Sequence, residues 1–255
     1  MVLSKTNLFI SNLRTVFQEH FANTPSKVIA IYVFGSFARN DFIFGQSDID
    51  IAVFLDITSN ENQWEHPDFI EVCSMISDVG THFTHLFRSE SPDIVAFNAD
   101  ELNALRLHGD LECAGAVKHL TFLAFDFLAH HQLLSGDDVL DDVHKIPNPL
   151  DYATQRLKWI KNYYQTKVVP EPDLSNLLMS LGSTIQYFAV MDGIRDIRKP
   201  VLARWSEEFE GWHGDISAVV EPYYDYIMGR RGMNILQTKM WQEKARKFLG
   251  DILGK

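Results

Sequence analysis

Apolar residues recur at helical spacing near the start of the chain and then give way to short apolar runs. Ile10, Leu13, Phe17 and Phe21 follow one another at intervals of three or four residues, which predicts an amphipathic helix capped near Ser4. An Asn-Thr-Pro segment ends this pattern. We therefore expect the chain to open with a helix whose apolar face packs on a core.

Three runs rich in β-branched and aromatic residues follow, and each predicts a buried strand. They are Val28–Phe34, Ile49–Leu55 and Pro92–Phe97. A helix is expected after Pro67, and the residues predicted to share its buried face are Phe69, Ile70, Cys73 and Ile76. This order of elements predicts a small domain built on a sheet.

Strand signals are lost after about residue 115, where long helical patterns replace them. The expected helices are Leu120–Leu134, Ala153–Tyr164, Leu174–Met191 and Trp241–Ile252. The predicted fold class is α+β. A small mixed-sheet domain should occupy residues 1–115, and an all-α helical bundle should occupy residues 116–255.

A Gly-Ser pair directly after the first predicted strand begins the segment with the strongest chemical signal. A strand that ends at Gly35 and turns into a helix at Ser36 presents backbone N–H groups to an anion, which predicts a phosphate site. Asp48 and Asp50 are two residues apart on the second strand, so both carboxylates should project from one face. Neighbouring carboxylates repel each other unless a cation lies between them, and hard oxygen ligands suit Mg²⁺. The alternative is that the two aspartates only line a solvated strand face.

The stretch GSFARNDFIFGQSDIDIAVF resembles the signature of the polymerase-beta-like nucleotidyltransferase superfamily. Its members share a glycine-serine turn followed by an acidic–apolar–acidic strand. The resemblance assigns Gly35 and Ser36 to nucleotide binding, and Asp48 and Asp50 to catalysis and metal binding. Arg39 occupies the position where many small members have a basic residue, which implies a contact with the triphosphate.

The superfamily also has a third carboxylate on a later strand. We assign this role to Asp93, which stands at the start of the third predicted strand. A proline precedes Asp93 where members have an apolar residue, and Asp93 is alternatively a turn residue at a strand start. Glu90 and Asp100 are then the other candidates for the third carboxylate.

The resemblance implies transfer of a nucleoside monophosphate from an NTP, most readily AMP from ATP, with release of pyrophosphate. Two Mg²⁺ ions held by Asp48, Asp50 and Asp93 would clamp the attacking and leaving oxygens of an in-line displacement. A carboxylate not tied to both ions could orient or deprotonate the acceptor hydroxyl. The expected enzyme is metal-dependent and uses ATP or another NTP as co-substrate.

Two further resemblances concern the helical half of the chain. The segment around Lys199 is similar to a Lys…Ala…Trp segment of the spectinomycin/streptomycin adenylyltransferases, in which a helical domain closes the acceptor cleft. This implies a phosphate contact for Lys199, and an ordinary lysine at a helix start is the alternative. Residues Arg156–Thr166 resemble the HEPN partners of minimal nucleotidyltransferases, but Arg230 and Arg231 lack the nearby histidine of HEPN ribonucleases. We therefore expect no nuclease of that kind.

The charge of the chain narrows the classes of substrate. The formal net charge is -11, and an acidic surface repels polyanions, which disfavours nucleic acid as the main substrate. Such a surface favours the binding of a cationic small molecule or of a protein. Alternatively, the negative charge only keeps the protein soluble.

The cysteines and the apolar segments bear on where the protein is found. Cys73 and Cys113 fall in no metal-ligand pattern, so free thiols in a reducing compartment are expected. The chain shows no cleavable signal pattern and no apolar run of membrane-spanning length, which predicts a cytoplasmic protein without a membrane partner.

The leading functional prediction is transfer of AMP to a hydroxyl of a small acceptor, an aminoglycoside-like or lincosamide-like antibiotic, bound with the help of the helical domain. One alternative is AMPylation of a toxin-like protein. Another is a degenerate module that binds nucleotide without turnover, although intact Asp48 and Asp50 speak against it. The sequence leaves open whether the chain forms a homodimer or binds a protein partner.

Overall fold

The computed structural model of the chain describes residues 2–42, 47–83, 92–108, 127–140, 174–212, 216–230, 232 and 234–253. The chain divides into two compact units, Met1–Pro147 and Asn148–Lys255. The boundary lies later than the predicted one at residue 115, because a strand beyond that position belongs to the sheet of the first unit. Among the described residues, no helix combines the length and the apolar composition that crossing a membrane requires.

The first unit is built on a four-stranded mixed sheet. Its strands are β1 (Val28–Phe34), β2 (Asp50–Leu55), β3 (Asp93–Phe97) and β4 (His131–Gly136), and they lie in the order β3-β2-β1-β4. β1 is antiparallel to β2 and to β4, whereas β2 and β3 are parallel. The three strands predicted from the sequence are confirmed, with β2 and β3 each beginning one residue later than expected.

The fourth strand corrects the predicted helix over Leu120–Leu134. Residues 127–129 are helical, but His131–Gly136 pairs with β1 along the edge of the sheet. Only Leu134 of this strand is fully buried, so the segment carries too few apolar positions to show a period of two. Backbone pairing with β1, which the local sequence does not encode, decides its conformation.

Helices α1 (Val2–Phe21) and α3 (Pro67–Gly80) cover one face of the sheet. Alternate strand residues point into this layer, including Ile31, Val33, Ile51 and Val53. The predicted face of α3 is wrong at one position: Ile70 is 54% exposed, and fully buried Val72 takes its place. The buried residues of α3 are then Phe69, Val72 and Ile76.

Cys73 of α3 is a partly buried free thiol, as predicted for a structural cysteine. Burial raises the pKa of this thiol to about 11. The thiolate is the reactive form of cysteine, so the raised pKa makes Cys73 a poor nucleophile at neutral pH. Cys113 lies outside the described residues.

The opposite face of the sheet is aromatic. Tyr32, Phe34, Phe54, Phe97 and Phe127 are buried there against α4 (Ala99–His108). Phe54 and Phe97 are stacked with ring centroids 4.8 Å apart, and Phe34 and Phe127 meet edge to face at 5.1 Å. Both faces of β1 and β2 are therefore buried among the described residues, so polar groups on these strands are expected at their ends.

A capping box fixes the start of α4. The Asn98 side chain accepts from the Glu101 backbone amide at 2.9 Å, and the Glu101 carboxylate accepts from the Asn98 amide at 2.9 Å. Gln63 joins this buried pair through hydrogen bonds of 3.1 Å to Glu101 and 3.2 Å from Asn98. The box ties the end of β3 to the loop that follows β2.

The described part of the second unit is helical. Its helices are α5 (Leu174–Met191), α6 (Lys199–Glu208), α7 (Ile216–Ile227) and α8 (Lys239–Leu253). α5 packs on α6 and α8, and α7 packs on the same two helices. Trp205 and Trp212 are buried with ring centroids 5.6 Å apart, and Trp241 is 2% exposed. These tryptophans form core, and the predicted helix over residues 153–164 lies outside the described residues.

Candidate nucleotide-transfer site

The turn from β1 into the short helix α2 (Gly35–Ala38) brings backbone against a carboxylate. Gly35 has a φ of +68°, in the left-handed region that glycine occupies without strain. A Cβ atom on Gly35 would collide with the Asp50 Oδ2 atom and would lie 3.0 Å from the Asp50 Cγ atom. Ser36, the next residue, is 7% exposed. Glycine is therefore required here both by the turn and by the approach of Asp50.

Asp50 and Asp93 are direct neighbours on the sheet. They are paired in the parallel register of β2 and β3, and each is the first residue of its strand. In the same face, Asp50 is followed by Ala52 and Phe54, which belong to the aromatic layer. The two carboxylates therefore lie on the same face as the aromatic layer, at the end of the sheet where β1 ends and α2 begins.

Asp48 lies just ahead of β2, two residues before Asp50 and partly buried. Ile49 between them is fully buried in the layer under α1 and α3. The predicted burial of Ile49 in the core is confirmed. The structure therefore brings Asp48, Asp50 and Asp93 to one end of two adjacent strands.

The alternative third carboxylates do not share this position. Asp100 follows β3 at its other end, in the first turn of α4, where it accepts a hydrogen bond of 2.8 Å from the Ser59 amide. That hydrogen bond lowers the pKa of Asp100. Asp100 thus has a local structural partner far along the strand from Asp50. Glu90 lies outside the described residues.

Arg39 follows α2 and makes an ion pair that the sequence analysis did not foresee. Its Nε atom lies 3.3 Å from Asp41 Oδ1, and the two side chains are only 10% and 2% exposed. The Asp41 backbone amide donates to the Ser36 carbonyl at 3.0 Å, which brings Asp41 back to the glycine-serine turn. Asp41 was missed because an aspartate after Asn40 reads as an ordinary turn residue.

The carboxylate oxygens at these strand ends are ligands of the kind that magnesium prefers. Among the described residues, no group of three or more His, Cys, Asp and Glu side chains is close enough to hold a metal ion by itself. Mg²⁺ is commonly held by one or two protein carboxylates together with substrate phosphates and water. Asp50 and its register partner Asp93 provide such a pair beside the predicted phosphate turn.

Lys199 is the first residue of α6 in the second unit and is partly buried. The same unit contains a cavity of about 110 Å³ between α6 and α7. Glu207, Glu221 and Asp225 line it, and Arg230 pairs with Asp225 at 3.3 Å. Three carboxylates against one guanidinium give this lining a negative charge.

Known proteins that are similar to this chain include a solved structure and a domain family. No curated protein matches the chain. Among solved structures, the crystal structure of spectinomycin adenyltransferase AAD(9) from Enterococcus faecialis with ATP and spectinomycin is similar at 15% sequence identity. The similarity covers 91% of this chain and 99% of that one, with a TM-score of 0.45.

A family model described as a nucleotidyltransferase domain matches residues 10–91. The matched range contains Gly35, Ser36, Asp48 and Asp50, and it ends two residues before Asp93. The signature found in the sequence lies in this range, together with β1 and β2. Residues 10–91 are therefore similar to a nucleotidyltransferase domain, in agreement with the resemblance that the glycine-serine turn and the two aspartates carry.

Proposed function

We propose that the chain transfers a nucleoside monophosphate, AMP from ATP, to a hydroxyl group of a small cationic acceptor. The observation that carries this proposal is the register of Asp50 and Asp93, which puts two carboxylates side by side next to Gly35. A nucleotidyltransferase domain that keeps its acidic residues, with two of them aligned on adjacent strands, is suited to turnover rather than to nucleotide binding alone.

In this proposal the acceptor oxygen attacks the α-phosphorus of the NTP. The bond from that phosphorus to the bridging oxygen of the β-phosphate breaks, and pyrophosphate leaves. A carboxylate of the Asp48, Asp50 and Asp93 set accepts the proton of the acceptor hydroxyl. Two Mg²⁺ ions, when bound by these carboxylates, would neutralise charge on the attacking and leaving oxygens.

The phosphate side of the site would consist of Gly35, Ser36 and Arg39. The resemblance of the segment around Lys199 makes this lysine a further candidate for a phosphate contact. Gly35 allows the Asp50 carboxylate to lie close to the turn, and Ser36 offers a hydroxyl donor. Arg39 supplies a positive charge one helical turn further along. Ser36→Ala should weaken use of ATP by the loss of one phosphate contact, about 1–3 kcal/mol.

The cationic class of acceptor follows from charge. The chain has a formal net charge of -11, and the cavity of the second unit is lined by Glu207, Glu221 and Asp225. An acidic surface attracts a polycationic molecule such as an aminoglycoside, and this attraction is screened by salt. A neutral acceptor would not respond to salt in this way.

The test is a screen for pyrophosphate release by the purified protein with Mg²⁺, each of the four common NTPs and a panel of aminoglycosides, lincosamides and a protein acceptor. We expect release with ATP and a cationic antibiotic, and a rise in the acceptor KM between low and high ionic strength. Release with any acceptor of the panel at a salt-independent KM would overturn the cationic class. Label transferred only to protein would support AMPylation, and nucleotide binding with no release would support a module without turnover.

A further inference from the structure

The ion pair of Arg39 and Asp41 is nearly inaccessible to solvent although it stands at the end of a four-residue helix. Removing charges from water costs several kcal/mol per ion unless good partners replace the water. Exposed ion pairs of the same unit, such as Lys27 with Asp56 at 3.8 Å, avoid that cost. A buried pair directly after the Gly35-Ser36 turn therefore calls for a specific role.

The backbone at the end of α2 holds Arg39 and Asp41 close to each other. α2 ends in a Schellman motif: the Asp41 amide donates to the Ser36 carbonyl at 3.0 Å, and the Asn40 amide donates to the Phe37 carbonyl at 3.1 Å. Asn40 takes the left-handed conformation that this motif needs, with a φ of 61°. The motif turns the chain back so that the Asp41 carboxylate reaches the Nε atom of Arg39.

We propose that Asp41 is a positioning residue that sets the direction of the Arg39 guanidinium toward the outer phosphates of the bound NTP. The proposal rests on the proposed function, in which Arg39 contacts the triphosphate. Arginine recognises phosphate through a rigid planar group, so its affinity depends on the orientation of that plane. A carboxylate held against Nε by the Schellman motif fixes this orientation in advance and reduces the ordering required on binding.

The sign of the effect separates positioning from simple electrostatics. Asp41 is an anion near a site for anionic phosphates, so its charge by itself opposes ATP binding. Removal of that charge would then strengthen ATP binding. If Asp41 instead orients Arg39, its neutralisation weakens ATP binding even though a repulsive charge has gone.

The experiment is calorimetric titration of the full chain with ATP and, separately, with AMP, both in the presence of Mg²⁺ and without acceptor. Asp41→Asn should raise the Kd for ATP about tenfold, on the order expected for loss of one buried charge interaction, and should leave the Kd for AMP unchanged. AMP lacks the outer phosphates and serves as the internal control. Asp41→Glu, which keeps the charge, should recover part of the loss.

Two further variants complete the design. Arg39→Gln should weaken ATP binding, and adding Asp41→Asn to it should weaken binding no further, because Asp41 acts through Arg39. Asp56→Asn removes one partner of the exposed pair with Lys27 and should change neither Kd. All titrations are made well below the unfolding midpoint of each variant, determined by circular dichroism.

Each outcome decides the question. Tighter ATP binding by Asp41→Asn, an unchanged Kd, or equal losses for ATP and AMP would overturn the positioning role while the proposed function stands. A wild-type chain that binds neither ATP nor any other NTP would overturn the proposed function and the inference together. Weaker ATP binding with unchanged AMP binding and partial recovery by Asp41→Glu supports the inference.

Discussion

Gly35 shows how a single position serves both the backbone and the reacting groups. Its φ of +68° is a property of the turn, and the collision of any added Cβ with the Asp50 carboxylate is a property of the sheet. The first could be predicted from a Gly-Ser pair at a strand end. The second could not, because Asp50 reaches Gly35 only through the pairing of β1 with β2.

Gly35→Ala and Gly193→Ala form a matched pair of variants. Both glycines have positive φ, of +68° and +92°, but an added Cβ at Gly193 would have nothing within 4 Å. We expect each variant to lose about 1–2 kcal/mol of folding stability from backbone strain, as measured by urea unfolding. Only Gly35→Ala should also lose nucleotidyl transfer, because its Cβ displaces the Asp50 carboxylate. Equal activity of the two variants would show that the approach of Gly35 to Asp50 does not matter.

The acidic residues of the candidate site were predictable to different degrees. Asp48 and Asp50 follow from local alternation with the buried residue Ile49. The sequence led us to assign the third carboxylate to Asp93, with Asp100 as an alternative. The parallel register of β2 and β3 distinguishes the two residues, because it pairs Asp93 with Asp50. Asp41 was missed because its role depends on a Schellman motif that turns it toward Arg39, a geometry that no local residue pattern specifies.

At the scale of elements, strands buried on both faces were predictable and an edge strand was not. β1 and β2 are continuous apolar runs because layers cover both of their faces, and such runs stand out in the sequence. β4 lies at the edge with only Leu134 fully buried, so its segment resembled the end of a helix. The pairing of Phe34 with His131 and of Val33 with Gln132 defines it instead.

The capping box of α4 gives a prediction at this scale. Asn98→Ala removes the side chain that caps the Glu101 amide and leaves the buried Gln63 and Glu101 with one fewer partner. We expect a loss of about 2 kcal/mol in the free energy of unfolding by urea. Asn103→Ala makes the same substitution at an exposed position of the same helix and should be neutral or slightly stabilising. Equal effects of the two substitutions would contradict the role of the box.

At the scale of the whole molecule, the sequence predicted two regions of different character but not their boundary. β4 belongs to the sheet of the first unit although it lies beyond residue 115, the predicted end of the first domain. The first unit ends at Pro147. In the second unit, helical spacing correctly placed α5 and the buried face of α8. The identity of the acceptor is not encoded in these packing patterns, because core aromatics and ligand-lining aromatics follow the same spacing.

The central claim is that carboxylates at the aligned ends of β2 and β3 carry out nucleotidyl transfer. The most direct measurement is the rate of Mg²⁺-dependent pyrophosphate release from ATP, with the acceptor found in the screen, for wild type and for Asp50→Asn, Asp93→Asn and Asp100→Asn. Each substitution keeps the size of the side chain and removes its charge. We predict that the first two lower the rate at least about a hundredfold and that Asp100→Asn, at the other end of β3, leaves it near wild type. A wild-type rate in Asp93→Asn, or an equal loss in Asp100→Asn, would contradict the account.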